Sequence, residues 1–238
     1  MSHSNECTYC ILVHFAETNV THSPWNYLFL VGVYIKVKIL QRAFLITAVF
    51  TISACGSTSS KTQDLFGYVP PTTKDVSGAF ITDAATNTPF NFVAAPNELL
   101  IAYFGYTHCP DLCPTTLVTI KNAKKKMGEL AQRVSLAMIT VDPARDTKDV
   151  LPRYLASLSD RFHALIPSTD AELRNAEKIF QTTSSVTITR DKVDVIHSGT
   201  AYVINDEGVV VAEWPFGIDA NSMAHDLTIL LNKKDTTT

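Results

Sequence analysis

Blocks of one charge are missing from this sequence, and so are internal repeats. The formal net charge is −3 over 238 residues, and the one run of like charge inside an expected element is Lys124-Lys125-Lys126. A chain without a basic block lacks the electrostatic footprint of a nucleic-acid binder. Cysteine is also scarce, at five residues. The Cys7-Thr-Tyr-Cys10 pair with His14 finds no second pair to complete a four-ligand zinc site. What the chain does have is apolar content, 46% hydrophobic with aromatics throughout. That supports a packed core, and the length suits one domain plus extensions.

The first 55 residues differ from the rest. Lys36, Lys38 and Arg42 precede the apolar run 43–52, which ends in Ser53-Ala54-Cys55. A basic start, a short apolar core and small residues before a cut make a secretory signal. With cysteine at the first mature position, the segment resembles the lipobox of bacterial lipoproteins. Residues 37–54 are then the signal peptide, Cys55 the lipidated residue, and 55–78 a polar, turn-rich tether. Stable anchoring needs more than one acyl chain. Residues 1–36 read as an untranslated extension, with Val37 near the start of the signal. An uncleaved membrane helix reaching back to Trp25 is the alternative. On the lipoprotein reading, only Cys109 and Cys113 remain as thiols of the exported domain, residues 79–234, which precedes a tail at 235–238.

That domain is organised around Leu100-Ile-Ala-Tyr-Phe-Gly-Tyr-Thr-His-Cys-Pro-Asp-Leu-Cys-Pro114. The apolar opening predicts a buried strand to Gly105. Pro114 suits the first position of a helix, where its missing N–H costs nothing, and the helix is expected over 115–130. The cysteines therefore fall at a strand-to-helix turn, where the positive helix end favours a thiolate. A helical turn would set their Cα atoms roughly 6 Å apart, within disulfide range. Around this core the sequence predicts a small hairpin (79–82 and 90–93), a strand over 134–141 and a turn over 142–147. A helix over 148–158, a strand over 164–166 and a helix over 170–180 follow. After a polar loop come a hairpin, 200–204 with 209–214, and a helix over 221–232. Alternating strands and helices that end in a hairpin and a helix predict an α/β, thioredoxin-like fold with an N-terminal β-hairpin extension.

In such a sheet the strand from Thr200 runs antiparallel beside the one ending at Gly105. This expectation places His197 above the cysteine loop. Two thiolates and an imidazole suit copper: soft sulfur favours Cu(I), and imidazole suits either oxidation state. Zinc would want a fourth ligand, Asp142 or water. A structural disulfide is the plainer reading of the pair, weakened because so short a loop gains little closure entropy. His108 is expected to point away, Met138 and Met223 to lie in the core, and Asp142, Arg145 and Asp146 to form a cap and local ion pair.

The residues 103–116, Val141-Asp-Pro-Ala-Arg-Asp-Thr147 and the isolated His197 together resemble the Sco/SenC family over residues 79–234. Its members are membrane-tethered, thioredoxin-like copper proteins needed to assemble the copper A centre of cytochrome c oxidase. The resemblance implies Cys109, Cys113 and His197 as ligands of copper, Cu(I) or Cu(II). It also implies cytochrome c oxidase subunit II as acceptor, other copper chaperones or thioredoxin-like reductants as further partners, and a lipid-anchored place on the outer face of the cell membrane. Many members carry an acid just before the histidine, where Ile196 stands here; Asp194 is the expected substitute for orienting the ring. The alternative is a thiol–disulfide oxidoreductase in which Cys109 and Cys113 are the redox-active pair. A thiol peroxidase is a third and weaker reading.

Overall fold

The structure is a computed structural model that describes residues 64–190 and 192–235. The expected extension, signal peptide, Cys55 and the Cys7–Cys10 pair lie outside the described residues. Among the described residues no helix is long and apolar enough to cross a membrane.

Two strands form the centre, β3 (Leu99–Gly105) and β4 (Val134–Thr140), and every residue of both is buried. They are near-continuous apolar runs, as expected of strands covered on both faces. The small hairpin that precedes them is β1 (Phe80–Thr82) with β2 (Pro89–Asn91). β5 (Phe162–Leu165) joins β4 in parallel, and β8 (Ala201–Ile204) joins the other side of β3 antiparallel, followed by β9 (Val210–Trp214). The sheet order is β5-β4-β3-β8-β9, the thioredoxin-like arrangement expected. The helices are α1 (Leu112–Met127), α2 (Val150–Ala156), α3 (Asp170–Phe180) and α4 (Ala220–Asp235), with α1 packed on α4. Phe92, Phe104, Phe180 and Tyr202 form an edge-to-face chain through the core. Fully burying one such side chain stabilises the fold by about 1.5–3 kcal/mol. Met138 and Met223 are core residues, 0% and 2% exposed.

Three stretches differ from the sequence-based expectations. The polar loop before Thr200 is instead a hairpin of its own, β6 (Ser184–Thr189) with β7 (Lys192–His197). Its signal was period-two alternation: Val186, Ile188, Val193 and Val195 share one face, and Ser185, Thr187 and Asp194 the other. Helix α1 starts at Leu112, so Cys113 lies inside its first turn; Pro114 is tolerated there because first-turn N–H groups have no helical partner.

The third difference is the tether, whose second half is folded. Tyr68 bridges Glu213, Asp75 bridges Val209, and Val76 is fully buried. Gly208, at φ +77°, lies where a side chain would meet Ser77 Cβ at 2.6 Å. Only glycine serves both the turn and this close approach.

The anchor of that segment is Asp226, a fully buried carboxylate on α4. It accepts hydrogen bonds from Phe66 N (2.8 Å), Gly67 N (2.8 Å) and Trp214 Nε1 (3.0 Å). Replacing Asp226 by alanine leaves these donors without their acceptor, at a cost of about 1–3 kcal/mol for each buried orphan. Thermal unfolding of Asp226→Ala is expected to show a clearly lowered Tm; an unchanged Tm would refute the anchor.

Candidate metal centre

Gly105 ends β3 and makes room for sulfur. A methyl group there would stand 2.8 Å from Cys113 Sγ and 2.8 Å from Tyr103 Cε1, closer than atoms pack. The chain then turns through Tyr106–Asp111 into α1. Cys109 is half-buried and Cys113 fully buried, both as free thiols. Cys113 receives the Tyr106 amide N–H at 3.4 Å, while its own N–H points to Cys109 Sγ at 3.5 Å. One of the helix's unpaired N–H groups is thereby directed at the outer sulfur.

His197 is the last residue of β7. Three residues lead from it to β8, whose Ala201 pairs with Tyr103 of β3. The antiparallel pairing brings the imidazole onto the cysteine turn from 84 positions away, as expected. Nε2 lies 3.4 Å from Cys113 Sγ and 3.7 Å from Cys109 Sγ. Nδ1 lies 2.8 Å from the Ser198 carbonyl oxygen, which can only accept. Nδ1 therefore carries the proton, and Nε2 presents its lone pair to the sulfurs. The ligand atoms of Cys109, Cys113 and His197 all lie within 4.8 Å of one another, the one such group among the described residues.

Asp142 is not part of that group. It is buried and paired with Arg145 Nε, so a fourth protein ligand from this position is ruled out in this arrangement. Asp194 does not orient His197 either. It pairs with Lys192 Nζ at 2.6 Å on the exposed face of the hairpin, and the Ser198 carbonyl does the orienting. The reason is register, because Asp194 and His197 point to opposite faces of β7. His108 is half-exposed, 3.8 Å from Asp146 and outside the cluster.

Asp146 has a larger part than the cap and ion pair expected. Fully buried, it accepts from Thr107 N (3.0 Å), Thr107 Oγ1 (2.5 Å) and Thr140 Oγ1 (2.7 Å), and so fastens the start of the cysteine turn to the end of β4. A second fastening holds the histidine. Ser184, opposite His197 in the hairpin, gives its hydroxyl to buried Glu177 and accepts Arg174 Nη1 at 2.8 Å. Arg174 also binds Glu177. Neither role was visible in the sequence, because Asp146, Glu177 and Ser184 look like ordinary surface residues until the fold buries them.

Burial sets the protonation states. It pushes the Cys113 thiol up to about 12, with the Tyr106 N–H opposing and Cys109 adding to the rise. The Tyr103 phenol is raised for the same first reason and then by Cys113. His197 is lowered by burial, against the Ser198 and Phe104 backbone groups that raise it. Tyr103 and Tyr106 stand edge-on to its ring at 6.2 and 5.6 Å. The centre thus offers two sulfurs and a neutral imidazole behind an aromatic wall.

Two outcomes follow from burial. Alkylation of the reduced protein at pH 8 is expected to modify Cys109 well before Cys113; equal rates would refute the buried placement. In an NMR titration His197 is expected to protonate below the ordinary value of about 6.5. Because its folded value is the lower one, the unfolded chain binds the proton first, and stability from this residue falls as the pH drops through about 6.5. Titration at or above that value would contradict the burial.

The geometry can be set beside known proteins. A family model described as SCO1/SenC matches residues 68–232. A SCO2-like protein of Rickettsia prowazekii is 28% identical over 136 residues, covering 56% of this chain and 66% of its own length. The mitochondrial SCO2 homolog of Mus musculus is 31% identical over 116 residues, 47% of this chain and 45% of its own. The chain therefore spans only part of the length of these curated relatives. Among solved structures, Bradyrhizobium japonicum ScoI with copper bound is 27% identical with a TM-score of 0.55, covering 63% of this chain and 95% of that one. Arabidopsis thaliana ScoI with copper bound, at 23% identity and a TM-score of 0.58 over 67% of this chain and 99% of that one, shares the fold. With the model running from the packed segment before β1 to the last turns of α4, the chain belongs to the SCO1/SenC family.

Proposed function

We propose that this chain is a copper-binding protein that carries copper on Cys109, Cys113 and His197 and delivers it to the copper A site of cytochrome c oxidase subunit II. The observation that carries the reading is the convergence of two sulfurs and one imidazole nitrogen within 4.8 Å. The donor set fits copper: thiolates favour Cu(I), and the imidazole suits both oxidation states. Zinc fits less well, since structural zinc almost always takes four protein ligands and Asp142 is engaged elsewhere. The solved ScoI of Bradyrhizobium japonicum, 27% identical, has copper bound.

Delivery follows from the chemistry of the site. Copper is the cargo, and the acceptor's thiolates and imidazoles replace Cys109, Cys113 and His197 one at a time. Loading displaces the thiol protons, so uptake weakens as the pH falls. Half-buried Cys109 is the accessible end of the set and the first to exchange. The domain would work on the outer face of the cell membrane, held by lipid on Cys55 and by the tether that follows. Other copper chaperones or thioredoxin-like reductants would supply the metal and keep the thiols open.

The free thiol pair also supports a second reading, a thiol–disulfide oxidoreductase that keeps the acceptor's cysteines reduced. Cys109 thiolate would attack the acceptor disulfide, and Cys113 would then displace it, leaving a Cys109–Cys113 disulfide and two acceptor thiols. The two readings differ over His197, which only the copper reading requires.

Metal analysis of the reduced protein is expected to find about one copper per chain, lost in Cys109→Ala, Cys113→Ala and His197→Ala; absence of copper from the wild type would defeat the proposal. A His197→Ala strain that loses oxidase assembly while the protein retains dithiol exchange favours delivery, and the reverse favours the oxidoreductase. Gly105→Ala, which crowds the buried sulfur, is expected to weaken copper binding by roughly the 10–100-fold seen when a supporting contact of a metal ligand is removed.

A further inference from the structure

Two buried hydroxyls next to the centre, Tyr103 Oη and Thr116 Oγ1, make no hydrogen bond of good geometry. Tyr103 is 0% exposed and Thr116 5% exposed. Native proteins rarely leave such groups unmade, because a buried orphan forfeits its hydration with nothing in return. The tyrosine is the better placed of the two. Its ring edge and the sulfur of Cys113 lie on the same glycine, each 2.8 Å from where a Gly105 methyl would be. The hydroxyl itself interacts with Cys113 and Thr116, and the ring stands edge-on to His197. Of these neighbours, the sulfur is the one whose acceptor strength changes on metal binding. A thiol is a weak acceptor, while a metal-ligating thiolate carries negative charge.

We propose that Tyr103 is a positioning residue of the centre, its O–H donating a hydrogen bond to the sulfur of Cys113 when that sulfur holds a metal. The inference rests on the reading of Cys109, Cys113 and His197 as a copper site. Tyr103 keeps its proton throughout. The Cys113 thiol proton leaves to solvent as the sulfur–copper bond forms, and the phenol then faces a charged acceptor in place of the weak one that a thiol offers. Such a bond fixes the direction of the sulfur lone pairs and draws electron density from them, as groups behind a metal ligand commonly do. The hydroxyl already lies beside the Cys113 thiol, and the bond between them becomes strong only when that sulfur carries negative charge.

Tyr103→Phe removes the hydroxyl and keeps the ring. In the reduced full chain it is expected to bind Cu(I) about ten-fold more weakly than the wild type in competition with a chromophoric chelator. The sulfur-to-Cu(II) charge-transfer band is expected to move to lower energy. The Tm of the reduced, metal-free protein is expected to stay the same or rise, since the hydroxyl makes no hydrogen bond of good geometry there. Thr116→Val is expected to leave affinity and band in place. Unchanged affinity and band in Tyr103→Phe overturn the inference while the copper reading stands. A lowered metal-free Tm with unchanged affinity overturns it too, by making the hydroxyl a packing group. An altered band in Thr116→Val but not in Tyr103→Phe gives the donor role to Thr116. A wild-type chain that takes up no copper overturns the site reading and this inference together.

Discussion

The antiparallel pairing of β8 with β3 is the contact on which the centre depends. Each strand is short, but every residue of both is buried, so side chains packed on both faces of the sheet hold their register. A one-residue slip would exchange the side chains between two differently packed faces, and close packing tolerates that poorly. The same register fixes Ala201 beside Tyr103, and four residues back along the chain is His197. The imidazole is therefore held in place by the hydrophobic core and needs no covalent link to the cysteine turn.

Around that pairing the protein places fixed polar groups where the chain leaves regular structure. Asp146 ties the cysteine turn to β4, Glu177 and Arg174 tie the histidine hairpin to α3, and Asp226 ties the incoming segment to α4. Each is a buried carboxylate with several donors, a geometry that is costly to break because the charge would be left unpaired. The ligands come from two separate segments, and each segment has its own clamp. Burial then gives the centre its chemistry. Cys113 stays a thiol until a metal displaces the proton, His197 stays neutral, and of the two sulfurs only that of Cys109 keeps partial access to solvent.

Much of this could be read in advance. The aromatic run to Gly105, the cysteine spacing and Pro114 mark a strand-to-helix turn on local chemistry alone, and the alternation of later elements marks the sheet that carries it. The β6–β7 hairpin escaped because Ser, Thr, Lys and Asp dominate its composition, although its period was that of a strand. The folded segment 66–76 escaped for a related reason. Its prolines and polar residues suit a tether, and its burial comes from Trp214, Asp226 and Gly208, far away in sequence. Asp194 was the wrong partner for His197 because side-chain direction alternates along a strand, and that direction was unknown while the strand itself was unrecognised.

The amino-acid order by itself determined which residue types could bind a soft metal and how the two cysteines stand relative to one helix start, because both depend on local geometry and intrinsic chemistry. Only the tertiary structure decided that the lone pair of His197 Nε2 meets both sulfurs, that a carbonyl orients the ring, and that Asp146 and Glu177 are buried supports. Those are contacts between segments up to 88 positions apart, fixed by strand register and core packing.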